Sequence, residues 1–218
     1  MTMEEAMARR HTVRKYTDKI IPQDIVDKLQ ERIAANNQKF DLSIQLLLNH
    51  ADAVNSVIKL LRTKGVSNYF ILAGNNSDDL AEKLGYASAD LMLYAQTLGL
   101  NTWYVGGTYN RNVLKYVPDK KVIGIVALGY GRNNGVPHKS KTIKDVAKYD
   151  GEAPEWFQKG VEASLLAPTA LNKQDYRIVG KGDKVRILID NGAFTGANKG
   201  LIKYHFELGA GKENFDWA

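Results

Sequence analysis

Apolar positions recur along this chain at two periods, and the switches between them mark out its elements. Residues 3–9 pattern as a short helix. A second helix is expected from Pro22 through about Asn36, where Ile25, Leu29 and Ile33 share one face. Residues 41–48 read as a strand with part of its length buried on both sides, and 69–73 as a second strand of buried type. Helical spacing over 52–64 ends at Gly65, a suitable stop. Ser77 is expected to cap a long helix running through Leu98, with Asp78, Asp79 and Glu82 at its positive end. Its stripe of Leu80, Leu84, Ala87, Leu91, Ala95 and Leu98 makes it the hydrophobic spine. A short strand over 103–105, a helical turn over 110–116 and a strand over 122–129 follow.

Between 130 and 153 glycine, asparagine and lysine crowd together, which reads as a connector. Beyond it the pattern gives a helix over 154–167 broken at Pro168, and a hairpin of 175–179 with 184–189. A last helix lies around 196–206, and an irregular tail follows. No internal repeat is visible. Strands interleaved with helices predict an α+β fold, with a mixed, mainly antiparallel sheet flanked by helices. Residues 1–130 would be the main portion, 131–153 the connector, and 154–218 a smaller portion that completes it.

Composition narrows the function classes. With 44% hydrophobic and 25% charged residues, the 218-residue chain is an ordinary globular mixture, and no apolar run is long enough to span a bilayer. The absence of cysteine removes disulfides, thiolate metal sites and cysteine nucleophiles. The opening residues lack the apolar centre of a secretion signal, so the expectation is a cytoplasmic protein. Four scattered histidines show no metal-ligand spacing, and no metal is expected. The net charge of +6 is spread along the chain. It is compatible with a phosphate-bearing cofactor or, as an alternative, with nucleic acid, although no recognition motif accompanies it.

Two stretches carry candidate chemistry. In an extended segment Arg10, Thr12 and Arg14 point to one face and can converge on an anion, for which the guanidinium fork is suited. The same spacing also suits a solvated basic edge. After Pro168 the polar set Thr169, Asn172, Lys173 and Gln174 offers donors and acceptors to a ligand, or simply to water.

Four segments together resemble the flavin-dependent nitroreductase family. Arg9 to Tyr16 is similar to its Arg-x-Ser/Thr-x-Arg/Lys arm. Residues 90–107 resemble its central helix and the glycine turn after it, and 127–131 its late strand. Residues 167–178, AlaProThrAlaLeuAsnLysGlnAspTyrArgIle, resemble its Ala-Pro-Ser-x-x-Asn-x-Gln-Pro-Trp motif, with Asp175-Tyr176 in place of Pro-Trp. In typical members that motif precedes the central helix, so here the chain looks like a rearranged branch.

The resemblance implies FMN and an NAD(P)H donor. Arg10, His11, Thr12 and Arg14 would take the phosphate and ribityl end, with Lys139 and Lys141 completing the clamp. Tyr104, Val105, Gly106 and Gly107 would lie against the ring, and Pro168, Thr169 and Asn172 would face it from the other side. No catalytic side chain is implied, since the cofactor carries the chemistry. The implied activity is electron transfer to nitroaromatics, quinones or similar acceptors. A flavin-binding protein with a storage or sensing role remains the alternative. The implied assembly is a homodimer, or a monomer that mimics one.

Overall fold

The computed structural model describes residues 1–51, 53–54 and 63–218. Helix α1 (Met3–Arg9) opens on a capping box in which Thr2 Oγ1 accepts from the Glu5 amide at 3.2 Å and Glu5 Oε2 accepts from the Thr2 amide at 3.0 Å. Helix α2 (Gln23–Phe40) runs one turn beyond the expected Asn36 and ends where Asp41 turns left-handed at φ 54°. The strand expected over 41–48 shrinks to β1 (Gln45–Leu47), which pairs antiparallel with β2 (Asn68–Gly74). The helix expected over 52–64 falls largely outside the described residues.

Helix α3 (Leu80–Thr97) is the spine that was anticipated, although it starts later. Ser77 does not cap it, because its hydroxyl donates to Asp79 Oδ1 at 2.8 Å instead. Then come β3 (Asn101–Val105), a 3-10 turn (Arg111–Tyr116) and β4 (Lys121–Gly129). The first sheet has the order β1-β2-β4-β3 and is antiparallel throughout.

The stretch read as a connector is partly structured. Helix α4 (Ile143–Val146) leads into β5 (Ala147–Tyr149), which joins a second sheet. Helix α5 (Glu155–Ser164) stops three residues short of the expected end, and tight turns carry the chain to Pro168. Strands β6 (Tyr176–Lys181) and β7 (Lys184–Ile189) form the hairpin, with Gly182 at φ 56° in its turn. Helix α6 (Thr195–Ala210) follows, and the tail adds an edge strand, β8 (Asp216–Trp217). The second sheet is ordered β5-β6-β7-β8, with its outer pairs parallel and its central pair antiparallel. The α+β expectation holds, with two four-stranded sheets among the described residues rather than one.

One apolar core runs through both regions. Phe70, Leu72, Leu84 and Leu91 share it with Ile178, Val185, Leu201 and Phe206. Its centre is the crossing of α3 and α6, where a methyl added at Gly85 would run into the Ala197 carbonyl and one at Gly200 into the Glu82 carbonyl. Only glycine lets these backbones approach so closely. Beside the crossing Asp90, 4% exposed, ties its own helix to two others: Arg32 and Asn36 of α2 and Tyr204 of α6 all donate to its carboxylate. A second apolar layer, including Tyr69, Ile71, Trp103 and Val113, covers the outer face of the first sheet.

Candidate functional site

The arm leaves α1 at Arg10 and runs alongside β3. Thr12 bridges Thr102 in parallel, and the Val13 amide donates to the Thr102 carbonyl at 3.1 Å. Val13 and Tyr16 anchor this path in the second apolar layer. The two arginines part company. Arg14 is exposed, with its guanidinium 5.5 Å from the Trp103 ring centre. Arg10 is 4% exposed and its Nη1 has no protein partner. Burial lowers its pKa to about 10, against a smaller opposing contribution from Tyr16.

Three of the four histidines in the chain gather here, a grouping their sequence positions do not suggest. His11 is lowered by burial and by the charges of Arg10 and His138. His205, on α6 and 1% exposed, is pushed down to about 3, chiefly by burial, with Arg10 and His138 adding to it. Its Nδ1 lies 2.8 Å from the Leu201 carbonyl, which can only accept, so Nδ1 carries the proton. Nε2 is then a bare acceptor, buried and without a partner.

The polar loop after Pro168 is tightly held. Leu171, Asn172 and Gln174 all have positive φ, at 53°, 53° and 51°. For a leucine that is 88% exposed, neither burial nor backbone preference accounts for the conformation. The staple is Gln174, 1% exposed: Oε1 accepts from the Lys141 amide at 2.7 Å and Nε2 donates to the Leu165 carbonyl at 2.9 Å. Asn172 Nδ2 donates to the Lys139 carbonyl at 2.7 Å, and Asn198 Oδ1 accepts from the Ala170 amide at 3.0 Å. Thr169 is buried and its hydroxyl has no partner, as is true of Thr102.

These segments close a ring within one chain. The loop is bound to 138–141, where His138 Nε2 meets the Leu165 carbonyl at 2.8 Å. The chain just before this strap packs on the arm, since a methyl on Gly135 would fall 2.8 Å from His11 Cβ. On the other side the turn at Gly106 and Gly107 lies under the Phe194 ring, 2.8 and 3.3 Å from where their Cβ atoms would be. Phe194 leads into α6, which carries Asn198 and so returns to the loop. Val105 is buried beneath the turn, and the Tyr104 hydroxyl is buried without a partner.

Lys139 is exposed on the strap. Lys141 is turned to the loop: its ammonium donates to the Gln174 carbonyl at 3.0 Å and to Asp175 at 3.2 Å. His138, His205, Phe194 and Asn198 do not stand out in the sequence. Their isolation in the sequence left no signal except, for the histidines, their rarity. Among the described residues no group of acidic residues and histidines could hold a metal ion, and no helix is long and apolar enough to cross a membrane.

A family model described as "Putative TM nitroreductase" matches residues 2–210. A solved structure of a "putative nitroreductase" from Thermotoga maritima superposes with a TM-score of 0.68 at 22% identity, covering 98% of this chain and 85% of that one. A nitroreductase-like protein from Streptococcus mutans gives 0.54 at 16% identity, covering 66% of this chain and 96% of that one. A "Putative NADH dehydrogenase/NAD(P)H nitroreductase" from Parabacteroides distasonis gives 0.52 at 17%, covering 66% and 95%. At these identities the likeness is one of fold. No curated protein matches the chain.

Proposed function

Because the chain belongs to the nitroreductase family whose model spans residues 2–210, we propose that it is an FMN-dependent oxidoreductase drawing electrons from NAD(P)H. The observation that carries this reading is the set of buried polar atoms left without partners around one ring of segments: Arg10 Nη1, Thr102 Oγ1 and Thr169 Oγ1. Burying such atoms unpaired costs about 1–3 kcal/mol each, more for a charged group, so the arrangement calls for a polar ligand. A cationic donor and hydroxyls suit a phosphorylated, polyhydroxylated molecule.

FMN fits these donors. When bound, it supplies the redox chemistry, accepting a hydride from the reduced nicotinamide and passing electrons to a nitroaromatic, quinone or similar acceptor. The remaining work falls to the chain. Arg10 would neutralise the phosphate, with His11, Thr12 and Arg14 lining the same arm. The turn at Gly106 and Gly107, with Phe194 over the space that side chains would fill, would present its backbone to the edge of the flat ring. Pro168, Thr169 and Asn172 would close the opposite wall, held in place by Gln174. Lys139 is free to approach an anion, whereas Lys141 would act by fixing the loop. No side chain is needed as acid or base, because solvent can supply the proton.

An absorbance spectrum of the purified protein tests the proposal. Visible flavin bands should bleach on anaerobic addition of NAD(P)H and return when a quinone or nitroaromatic is added. Protein that stays colourless and takes up no FMN on reconstitution refutes it. Bands that do not bleach would assign the flavin to storage or sensing.

A further inference from the structure

We infer that the chain pairs two copies of one helix–strand–strand–helix unit against each other, and that only one of the two positions related by this pairing, the one with the arm and the opened loop, holds a cofactor. The one-cofactor part rests on the FMN reading above; the duplication does not. Among the described elements the first unit is α2–β1–β2–α3 and the second is α5–β6–β7–α6. Both strand pairs are antiparallel. Leu42 faces Gly74, Leu46 faces Phe70 and Leu47 faces Tyr69; in the second unit Tyr176 faces Ile189, Gly180 faces Val185 and Lys181 faces Lys184. An offset of 115 on the second strand (74 and 189) sets one of 134 on the first (42 and 176), as it would for any two antiparallel pairs, so the match rests on what the helices add.

The offset of 115 carries on into the helices, since α3 begins at Leu80 and α6 at Thr195. Their crossing is reciprocal. Gly85 meets Ala197, and Gly200 meets Glu82, which is the same contact with the two units exchanged. The core positions correspond as well: Leu42, Ile44, Phe70 and Leu72 match Tyr176, Ile178, Val185 and Ile187. Such exchange is the mark of a two-fold pairing of like units.

Departures from this symmetry fall at the cofactor positions. Residues 168–174 form the strained loop after α5, but the matching residues 34–40 remain inside α2. Pro168 has Ala34 as its counterpart, so nothing breaks the first helix. The extended arm precedes only the first unit; α4 and β5 precede the second. At the exchanged position the counterpart of Gln174 is Phe40, whose ring lies 5.3 Å from that of Tyr86. The Tyr86 hydroxyl donates to Glu207 at 2.6 Å, and Trp217 Nε1 donates to the other Glu207 oxygen at 2.8 Å. A cleft of about 310 Å³ remains there, shaped by these side chains with Lys39 and Lys212. It has neither arm nor opened loop. The duplication also accounts for the late place of the Ala-Pro-Thr motif: the second copy kept it and the first lost it.

Light scattering on the full chain, combined with flavin quantitation after reconstitution with FMN, tests the inference. The expected result is a monomer carrying one FMN, whose flavin content does not change on dilution. Glu207→Gln should leave both stoichiometry and affinity within twofold. Two flavins per chain, a dimer that loses flavin as it dissociates, or a tenfold loss of affinity in Glu207→Gln would overturn it. A colourless monomer would refute the flavin reading while supporting the internal pairing, and a colourless dimer would refute both.

Discussion

Arg32 and Asp90 meet at two points, Nε to Oδ2 at 2.7 Å and Nη2 to Oδ1 at 2.5 Å, on a carboxylate that also accepts from Asn36 and Tyr204. The pair raises the arginine pKa further above its ordinary value. Removing the carboxylate strands three donors from two helices at once. Asp90→Ala is expected to lower stability by about 3 kcal/mol, and Tyr204→Phe by about 1 kcal/mol. Urea midpoints decide it. Equal, small shifts in the two variants would mean that the carboxylate is not the hub.

The glycines at the helix crossing give a test with opposed signs. Alanine is favoured over glycine in a helix by about 1 kcal/mol, so an unobstructed Gly200→Ala would stabilise the protein. Its methyl would meet the backbone of Glu82 and Tyr86. The expected outcome is therefore a loss of about 1–3 kcal/mol in thermal or urea unfolding, as for other overpacked sites.

His205 predicts an acid limb. Its folded pKa of about 3 lies below the ordinary 6.5, so the unfolded chain binds the extra proton first. Stability from this source is complete above pH 6.5 and is lost as pH falls toward 3, by about 1.4 kcal/mol per unit in that window. The charges of Arg10 and His138 add to the burial, and the hydrogen bond to the Leu201 carbonyl opposes it. In His205→Leu the slope of stability between pH 6 and 4 should flatten. An unchanged slope would assign the acid sensitivity to other groups.

Arg10 and Arg14, alike in sequence, should separate in binding. Loss of a charge-assisted hydrogen bond is worth about 1.5–3 kcal/mol, so Arg10→Ala should weaken FMN by roughly 10- to 100-fold. Arg14 is solvated and stacked on Trp103, and Arg14→Ala should have a smaller effect. Flavin fluorescence titration, with unfolding checked in parallel, measures both. The reverse ranking would move the anion to the outer end of the arm.

Much of this molecule is legible in its sequence because helix periodicity and strand composition are local properties. The spine from Leu80, the strand ending at Gly129 and the hairpin around Gly182 all stand close to where the pattern puts them. What the pattern misses is set by partners distant in the chain. β8 looks irregular because two residues carry no period, yet Lys184 and Val185 offer an edge to pair with. The extension of α2 past Asn36 depends on Asn37 bonding to Ile44 and on the turn at Asp41. The histidine grouping and the Phe194 contact arise from folding over long spans. The repeat is hidden because only the helix crossing and the core positions preserve it, while the outer residues have diverged: Ile71 lies under a second layer, whereas its counterpart Arg186 faces water.

The reciprocal crossing of α3 and α6 has a consequence for how this protein can change. In an assembly of identical subunits every substitution at the shared face arises twice, and the two must be tolerated together. Here Gly85 and Gly200 sit on one polypeptide, as do Phe40 and Gln174, and each position mutates alone. One copy can therefore give up its loop to a continuous helix while the other keeps it. Asymmetry of this kind is closed to a homodimer and open to a chain that carries both partners in a single gene.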